Sequence, residues 1–279
     1  MTRTIVITGA SDGIGASAAR ALAQEGNRLV VVGRSAAKTK AVAQDIGADH
    51  FLADFTELLQ VRELAAALKE KYPRIDVLAN NAGGIMGSRE VTVDGHEKTF
   101  QVNHLAPFLL TELLMEVLVD SQATIINTSS AAHRFMAKFD MADLDSEKGY
   151  NNRAAYGNAK LANILFTKEL QKRHGHRGIN AAAFHPGVVG SNFSAESAGI
   201  LKMGYSLLNR FMLTPTQGAE TLVWLASTEP GVVWTPGEYY VKRKQAKISA
   251  TAQETDLARQ LWERSEAMVA SCDPRPRGR

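Results

Sequence analysis

The first strand-like segment of the chain and the loop that follows it, residues 4–15, read TIVITGASDGIG. The β-branched run Thr4–Thr8 leads directly into Gly9, Gly13 and Gly15, and a helical pattern follows. Glycine lets a turn tighten and lets the backbone approach a phosphate, while a helix N-terminus offers free N–H groups to it. The Gly-x-x-x-Gly-x-Gly spacing between a strand and a helix therefore predicts a dinucleotide-binding βα unit. It does not match the ATP-binding P-loop, since no Lys-Ser/Thr pair follows the last glycine.

Short β-branched runs alternate with longer helical patterns along the rest of the chain, which is typical of parallel βαβ units. The predicted strands are Thr4–Thr8, Leu29–Gly33, His50–Ala53, Val77–Asn80, Ile125–Thr128, Ala181–His185 and Glu238–Val241. The predicted helices are Ile14–Gln24, Ala36–Ile46 after a Ser35 cap, Leu58–Tyr72, Asp94–Val119 with a bend at Pro107, Tyr156–His174, Thr216–Ser227 and Ala250–Met268. We expect an α/β fold, a Rossmann-type doubly wound parallel sheet, in a single domain over residues 1–279. Its core would span about 4–241, and a C-terminal helix and tail would span 250–279.

The amino-acid composition argues against several classes of protein. The 279 residues include 32 basic and 29 acidic side chains, for a formal charge of +3, and one cysteine, Cys272. So small an excess of positive charge argues against nucleic acid, and one cysteine excludes a disulfide framework or a cysteine-rich zinc site. The longest apolar stretch, Leu105–Val119, is broken by polar residues, so we expect no membrane span. The seven histidines show no ligand-like spacing, which predicts no metal site, and the start leaves no room for a signal peptide. We expect a cytoplasmic protein.

The end of the second predicted strand bears on cofactor choice. An acidic residue there would bind the adenosine ribose 2′-hydroxyl of NAD, whereas arginine can pair with a 2′-phosphate. This chain has Gly33-Arg34-Ser35, with Lys38 one helical turn later. We therefore predict NADP(H), with NAD(H) left open because Asp12 in the glycine loop would not help a phosphate.

A second motif points to proton transfer. Tyr156-Gly157-Asn158-Ala159-Lys160 lies in a helical pattern, so that Tyr156 and Lys160 share one helix face. A lysine cation beside a phenol favours the phenolate and would make Tyr156 a usable acid or base at cellular pH. Ser130 follows the predicted strand Ile125–Thr128, at the edge where open α/β sheets place their ligands.

Together these motifs resemble the short-chain dehydrogenase/reductase family. The resemblance runs from about Thr4 to Tyr240 and rests on the glycine loop, Asn80-Asn81-Ala82-Gly83, Asn103, Ser130, Tyr156-x-x-x-Lys160 and Pro186-Gly187. It implies hydride transfer between a nicotinamide and a carbonyl or alcohol carbon.

The resemblance also implies a role for each matching position. Tyr156 would be the acid or base, Lys160 would lower its pKa and hold the nicotinamide ribose, Ser130 would bind the developing oxyanion, and Asn103 would anchor a proton-relaying water. The implied cofactor-binding residues are Gly9, Ser11, Asp12, Gly13, Ile14, Gly15, Arg34, Asp54, Phe55, Asn80, Ala82, Gly83, Tyr156, Lys160, Pro186, Val189 and Ser191. Ser191 stands where the family usually has threonine.

Finer features suggest a branch and a substrate. Ser130 and Tyr156 are 26 residues apart, about double the usual spacing, and with Tyr156–Phe166 and Asp94–Glu97 this is similar to the retinol dehydrogenase and protochlorophyllide reductase-like branch. An apolar, Met-bearing stripe within about 192–215 predicts a substrate lid and a lipophilic or aromatic carbonyl or alcohol, although it would also suit packing on the core or on a partner subunit. His133 would be structural more often than catalytic, and His185 would be a packed strand-end residue.

Two other readings of these motifs stay open. One is a non-catalytic sensor that binds NADP(H) and reports to a partner, for which loss of Tyr156 or Lys160 would be the expected mark. The other is an epimerase or dehydratase on a sugar nucleotide, for which a Gly-x-x-Gly-x-x-Gly loop and a larger C-terminal region are usual. The resemblance also favours a homodimer or homotetramer built on the helices Asp94–Val119 and Tyr156–His174.

Overall fold

The computed structural model describes residues 2–189 and 213–271. They form one eight-stranded sheet in the order β3-β2-β1-β4-β5-β6-β7-β8, in which every pair is parallel except β7 with β8. The strand order reverses between β1 and β4, which makes the sheet doubly wound. The predicted fold class is confirmed.

The strands fall where the sequence places them, to within one residue at each end. They are β1 Thr4–Thr8, β2 Arg28–Gly33, β3 Asp49–Leu52, β4 Val77–Asn80, β5 Thr124–Thr128, β6 Asn180–His185, β7 Tyr239–Val241 and β8 Lys244–Gln245. The two-residue β8 is too short to leave a sequence pattern, and it was not predicted. Central strands such as β4 and β5 are buried along their whole length, as expected for a sheet covered on both faces.

The helices differ more from prediction. They are α1 Gly13–Gln24, α2 Ala36–Ile46, α3 Leu58–Lys71, α4 Lys98–Phe100, α5 Ala106–Asp120, α6 Ala132–Phe135, α7 Asn152–His174, α8 Pro215–Ser227 and α9 Thr255–Ser271. The helix predicted from Asp94 to Val119 is present as one helical run, Lys98–Asp120, which begins four residues later than predicted. Its unpredicted feature is a π-helical segment, Gln101–Leu105, between α4 and α5, and Pro107 lies in the first turn of α5. The short α6 was missed. Ser35 precedes α2 as predicted, but its side chain makes no capping hydrogen bond.

Two apolar cores cover the two faces of the sheet. One includes Leu22, Val31 and Leu222 and lies under α1, α2 and α8. The other includes Leu64, Leu110 and Leu165 and lies under α3, α5, α7 and α9. The run Lys98–Asp120 has the length and mean hydropathy, 1.4, of a membrane-crossing helix, but 67% of its most apolar window is buried inside the fold, as in a core helix.

The C-terminal helix α9 packs across α7 and α5. Its Trp262 ring lies 5.1 Å from that of Phe108 and 5.6 Å from that of Phe166, and the Arg173 guanidinium lies 4.7 Å from the Trp262 ring. The two helices on which an oligomer is expected, α5 and α7, are therefore both in contact with a helix of the same chain.

Candidate active site

A cavity of about 1030 Å³ opens at the carboxyl edge of the sheet, where the strand order reverses. Open α/β sheets bind their ligands at this place. The glycine loop forms one end of the cavity, and Ser130 with Tyr156 forms another part of its wall. The predicted site residues that line it are Gly9, Ser11, Asp12, Gly13, Ile14, Gly15, Arg34, Asp54, Phe55, Ala82, Gly83, Ser130, Tyr156, Pro186 and Val189. Ser191 and most of the predicted lid lie outside the described residues.

The glycine loop is closely packed against the end of β4. Gly9 has φ +65°, and a Cβ there would lie 2.7 Å from the Ala82 Cα. A Cβ on Gly15 would collide with the Gly9 carbonyl and lie 2.6 Å from the Asn81 amide nitrogen. The loop can hold this shape only without side chains, which leaves its backbone and the start of α1 facing the cavity. This cradle fits the pyrophosphate of a dinucleotide.

The charged residues at this end are paired. The Asp12 carboxylate caps α1 by accepting from the Gly13 N–H at 2.8 Å, and it accepts from Lys38 Nζ at 2.9 Å. Lys38 therefore offsets the negative charge that made Asp12 look unfavourable for a phosphate. The Arg34 guanidinium lies 4.0 Å from the Asp54 carboxylate, and its side chain is 61% exposed at the end of β2.

Asn80 does not reach the cavity. Its side chain is buried and donates to the Thr111 hydroxyl at 3.0 Å and to the Asn127 amide oxygen at 2.9 Å, so it holds α5 and β5 to β4. The next residue, Asn81, lines the cavity instead and donates from its side chain to the Thr8 carbonyl at 3.0 Å. The alternation of side chains along a strand is the signal that separates the two asparagines.

Tyr156 and Lys160 lie on one face of α7, and both are buried. Lys160 Nζ is 5.4 Å from the centre of the Tyr156 ring and donates to the Thr128 carbonyl at 3.1 Å. Lys160 is not itself on the cavity wall. Ser130 follows β5 and hydrogen-bonds to Tyr156.

The protonation states differ from those expected. Burial raises the pKa of Tyr156 far above its usual value, and the hydrogen bond from Ser130 opposes this only in part. Burial also lowers the pKa of Lys160 to about 7. The expected lowering of the tyrosine pKa by lysine is not seen, because the same burial that removes water from the phenol disfavours the ammonium charge.

Asn103 lies behind the cavity in the π-helical segment. Its amide group donates to the carbonyls of Gly84 and Thr99, at 2.9 and 2.8 Å, and accepts from the Gly84 N–H at 3.1 Å. A Cβ on Gly83 would collide with the Asn103 amide oxygen and lie 3.3 Å from Lys160 Nζ. Gly83 thus lets Asn103 and Lys160 approach the cavity from behind. The Asn103 backbone carbonyl accepts from the Asn163 side chain at 3.0 Å.

Two histidines adjoin the catalytic residues. His133 is buried, donates from Nδ1 to the Ser130 carbonyl at 2.7 Å and has its ring 5.1 Å from that of Tyr239, which indicates a structural role. His185 ends β6, as predicted, but it also lines the cavity, and its Nδ1 is buried without a hydrogen-bond partner. Burial lowers the pKa of His185 to about 4 and lowers that of His133, so both rings are neutral at physiological pH. Within residues 2–189 and 213–271, no cluster of acidic, histidine or cysteine side chains could hold a metal ion.

Comparison with known proteins assigns the chain to a family. The family model described as short chain dehydrogenase matches residues 3–199. A Streptomyces sp. (strain C5) protein named as a daunorubicin C-13 ketoreductase is 41% identical over 274 residues, covering 96% of this chain and 92% of that protein. Human (Homo sapiens) retinol dehydrogenase 12 is 37% identical over 268 residues, covering 93% and 84%. The crystal structure of an uncharacterised Mycobacterium paratuberculosis protein superimposes with a TM-score of 0.77 at 30% identity, covering 96% and 93%.

These relatives confirm the resemblance seen in the glycine loop and the Tyr-x-x-x-Lys motif, including the retinol dehydrogenase-like branch. The chain belongs to the short-chain dehydrogenase/reductase family and is an NAD(P)-dependent oxidoreductase that acts on alcohol or carbonyl groups.

Proposed function

We propose that the chain is an NADP(H)-dependent reductase of lipophilic or aromatic carbonyl compounds, which also runs in the direction of alcohol oxidation. The observation that carries this proposal is the juxtaposition in one cavity of a glycine cradle, an arginine at the end of β2 and a Ser130–Tyr156 pair. The first supports a dinucleotide, the second a 2′-phosphate and the third an oxygen atom that gains or loses a proton.

Arg34 supports the choice of NADP(H) over NAD(H). It lines the cavity at the end of β2, where a carboxylate would otherwise bind a ribose hydroxyl. Asp54, in the loop after β3, lies 4.0 Å from the guanidinium. A planar guanidinium suits bidentate pairing with a phosphate.

The cavity wall near Tyr156 supports a lipophilic substrate. Ile85, Met86 and Val102 line it on the side of β4 and the π-helical segment, and Phe135, Met136 and Val188 line it elsewhere. Phe135 is 80% exposed and Val188 is 68% exposed, which is unusual for large apolar side chains and leaves them available to a hydrocarbon ligand. Relatives named for a ketone reduction and for a retinol dehydrogenation are consistent with this class of substrate.

The roles of the residues follow from their protonation states. A bound nicotinamide supplies the hydride in reduction and accepts it in oxidation. The Tyr156 hydroxyl, protonated because burial raises its pKa, donates its proton to the substrate oxygen during reduction. The Ser130 hydroxyl hydrogen-bonds to the same oxygen as negative charge develops on it. Lys160, whose Nζ lies 5.4 Å from the centre of the Tyr156 ring, stabilises the resulting phenolate, and Asn103 holds the loop at Gly84 in place.

The cytoplasm is the proposed location, with a small-molecule substrate and no nucleic-acid or membrane partner. Near-balanced charge and a single cysteine support it, and the most apolar helical run is mostly buried. A homodimer or homotetramer built on α5 and α7 would have to accommodate α9, which packs on both helices. Cell fractionation and light scattering of the purified chain test these two points.

A direct experiment tests the activity. The purified chain is mixed with NADPH or NADH and a panel of aryl alkyl ketones and isoprenoid aldehydes, and absorbance is followed at 340 nm. We expect turnover of apolar ketones with NADPH, and little with NADH. Absence of turnover with every carbonyl compound, despite NADPH binding, would refute the proposed reaction and favour a cofactor sensor.

A further inference from the structure

A chain of buried polar groups leads from Lys160 away from the cavity. Lys160 Nζ donates to the Thr128 carbonyl at 3.1 Å, and the Asn163 side-chain amide donates to the same carbonyl at 3.0 Å. The Asn163 amide also donates to the Asn103 carbonyl at 3.0 Å. Asn163 is three residues after Lys160 on α7, so the two side chains leave the helix on the same side.

Pro107 removes one backbone donor that the Asn103 carbonyl could otherwise use. In a regular helix this carbonyl would accept the N–H of the residue four positions later, and that residue is Pro107, which has none. A buried carbonyl without a donor is costly. The Asn163 amide donates to this carbonyl from the neighbouring helix, α7.

The network of buried hydrogen bonds continues to the C-terminal helix, α9. The Asn163 amide oxygen lies 3.3 Å from His104 Nδ1, and His104 Nε2 lies 2.9 Å from the Ser265 hydroxyl on α9. Carbonyls only accept, so the Asn163 NH₂ must face Thr128 and Asn103, and its oxygen must face His104. His104 therefore carries its proton on Nδ1, and Ser265 donates to the bare Nε2. With this assignment, the Asn163 amide and both His104 ring nitrogens each have a hydrogen-bond partner in the network.

The state of His104 agrees with this assignment. The ring is fully buried, and burial together with the nearby charge of Lys160 lowers the pKa of His104 to about 4. A neutral imidazole has one donor and one acceptor, which is what Asn163 and Ser265 require. Apolar side chains could fill the same space without the desolvation free energy that buried polar groups require. A buried hydrogen-bond network in which every group is paired therefore points to a role in positioning its neighbours.

We propose that Asn163, oriented by His104 and Ser265, is a positioning residue that fixes the two carbonyls beside Lys160, so that helix α9 takes part in holding Lys160 in its place. None of these three residues lines the cavity, and none would touch substrate or cofactor. The inference is tested by two experiments. The first measures kinetics and rests on the proposed carbonyl reduction, and the second measures the titration of Lys160 and does not.

The kinetic arm is a double-mutant cycle in the full-length chain. Ser265→Ala removes the hydroxyl at the far end of the hydrogen-bond network and frees the Asn163 amide to rotate. Asn163→Leu removes the amide in the middle of the network. We expect each single variant to lose about five- to tenfold in kcat, with KM for the ketone changed less than twofold. The double variant should be no worse than Asn163→Leu, because residues in one network are not additive. The matched control is Ala258→Gly, which weakens α9 at a buried position that is not part of the hydrogen-bond network. It should leave kcat unchanged.

The second arm follows Lys160 itself by NMR titration of lysine labelled with ¹³C at Cε, in the chain without cofactor. The Lys160 resonance is assigned with Lys160→Met. A rotated or absent Asn163 amide leaves more acceptor capacity for the ammonium, so its pKa should rise in Ser265→Ala and Asn163→Leu. Among the described residues, Tyr156 and His104 are titratable groups close to Lys160, and neither is altered in these variants.

The outcomes separate the two proposals. A wild-type chain that turns over no ketone would refute the proposed function, and the Lys160 titration would still decide the role of Asn163. Additive losses in the cycle, or a Lys160 pKa that moves equally in Ala258→Gly or not at all in Ser265→Ala, would overturn the inference.

Discussion

The two ends of the cavity are built in opposite ways. At the glycine loop the wall is mostly backbone, Gly9 and Gly15 leave no room for a Cβ, and the charged pair Lys38–Asp12 is about half exposed. At the other end the working groups are buried side chains, with Tyr156 6% and Lys160 1% exposed, backed by further buried polar groups. The cofactor end requires glycines, which have no side chain. The catalytic end requires polar side chains that are buried away from water. Substitutions at the first end should affect binding, and those at the second should affect turnover.

The largest effect is expected for Tyr156→Phe. It removes the proton donor and leaves the ring in place, so kcat should fall by about 10³-fold, within the usual range for general acid–base catalysis. NADPH should bind within threefold of the wild type, since the hydroxyl contributes little to the glycine cradle. Stopped-flow reduction and fluorescence titration measure the two quantities. A variant that keeps a tenth of the wild-type rate would assign proton donation elsewhere.

Gly15→Ala tests the other end. The added methyl group would collide with the Gly9 carbonyl and the Asn81 amide, and the loop must open to accept it. Overpacking of this kind costs about 1–3 kcal/mol, which corresponds to a roughly 5- to 150-fold weaker NADPH affinity if the loop shape is needed for binding.

Gly26→Ala is the control for Gly15→Ala, because Gly26 has positive φ but no heavy atom within 4 Å of its Cβ position. It should lower stability and leave NADPH affinity unchanged. Equal affinities for both variants would contradict the cradle.

Arg34→Ala sharpens the comparison within the cofactor end. A charge-assisted hydrogen bond contributes about 1.5–3 kcal/mol, so the ratio of NADH to NADPH dissociation constants should fall by about tenfold or more. Arg20→Ala, which removes an exposed arginine paired with Asp45, is the control and should not change the ratio. If NADPH and NADH weaken equally in Arg34→Ala, the guanidinium contacts the shared part of the two cofactors.

The smallest effect on activity is expected for the packing behind the catalytic end, where the predicted change is in stability. Glu112 on α5 has a buried carboxylate oxygen without a partner, and burial, with Glu266 nearby on α9, raises its pKa from 4.5 to about 7. The folded state therefore binds this proton more tightly than the unfolded state, so its stabilisation is complete below pH 4.5 and is lost as pH rises through 7. Glu112→Gln should gain stability relative to wild type by roughly 3 kcal/mol between pH 4.5 and pH 8.

Urea unfolding at pH 4.5 and pH 8 measures this difference. Glu116→Gln, on the exposed side of the same helix, should show no such change with pH. Parallel pH dependence of wild type and Glu112→Gln would show that the carboxyl is already solvated.

Local patterns were enough for the sheet and for most of the residues around the cavity. The strands carry uninterrupted apolar runs, and the glycine loop carries its own spacing, so β1 and α1 were predicted to within one residue. The π-helical segment was not predictable from periodicity, because its single extra residue follows from what Asn103 and His104 contact on α7 and α9.

The missed residues share a physical reason. Asn163, His104 and Ser265 are far apart in the sequence, and only the packing of α9 on α7 brings them together. The side-chain direction of Asn80 against Asn81 depends on where β4 ends, which a pattern fixes only to within a residue or two. The raised pKa of Tyr156 depends on burial, which no motif reports.

Transfer of deuterium tests the central claim most directly. The wild-type chain and Tyr156→Phe are each incubated with an aryl alkyl ketone and NADPH carrying deuterium on both positions of C4, and the product alcohol is analysed by mass spectrometry. We expect one deuterium per molecule on the carbinol carbon with the wild type, and almost no product with Tyr156→Phe. An alcohol without deuterium, or equal yields from the two proteins, would contradict hydride transfer with Tyr156 as the proton donor.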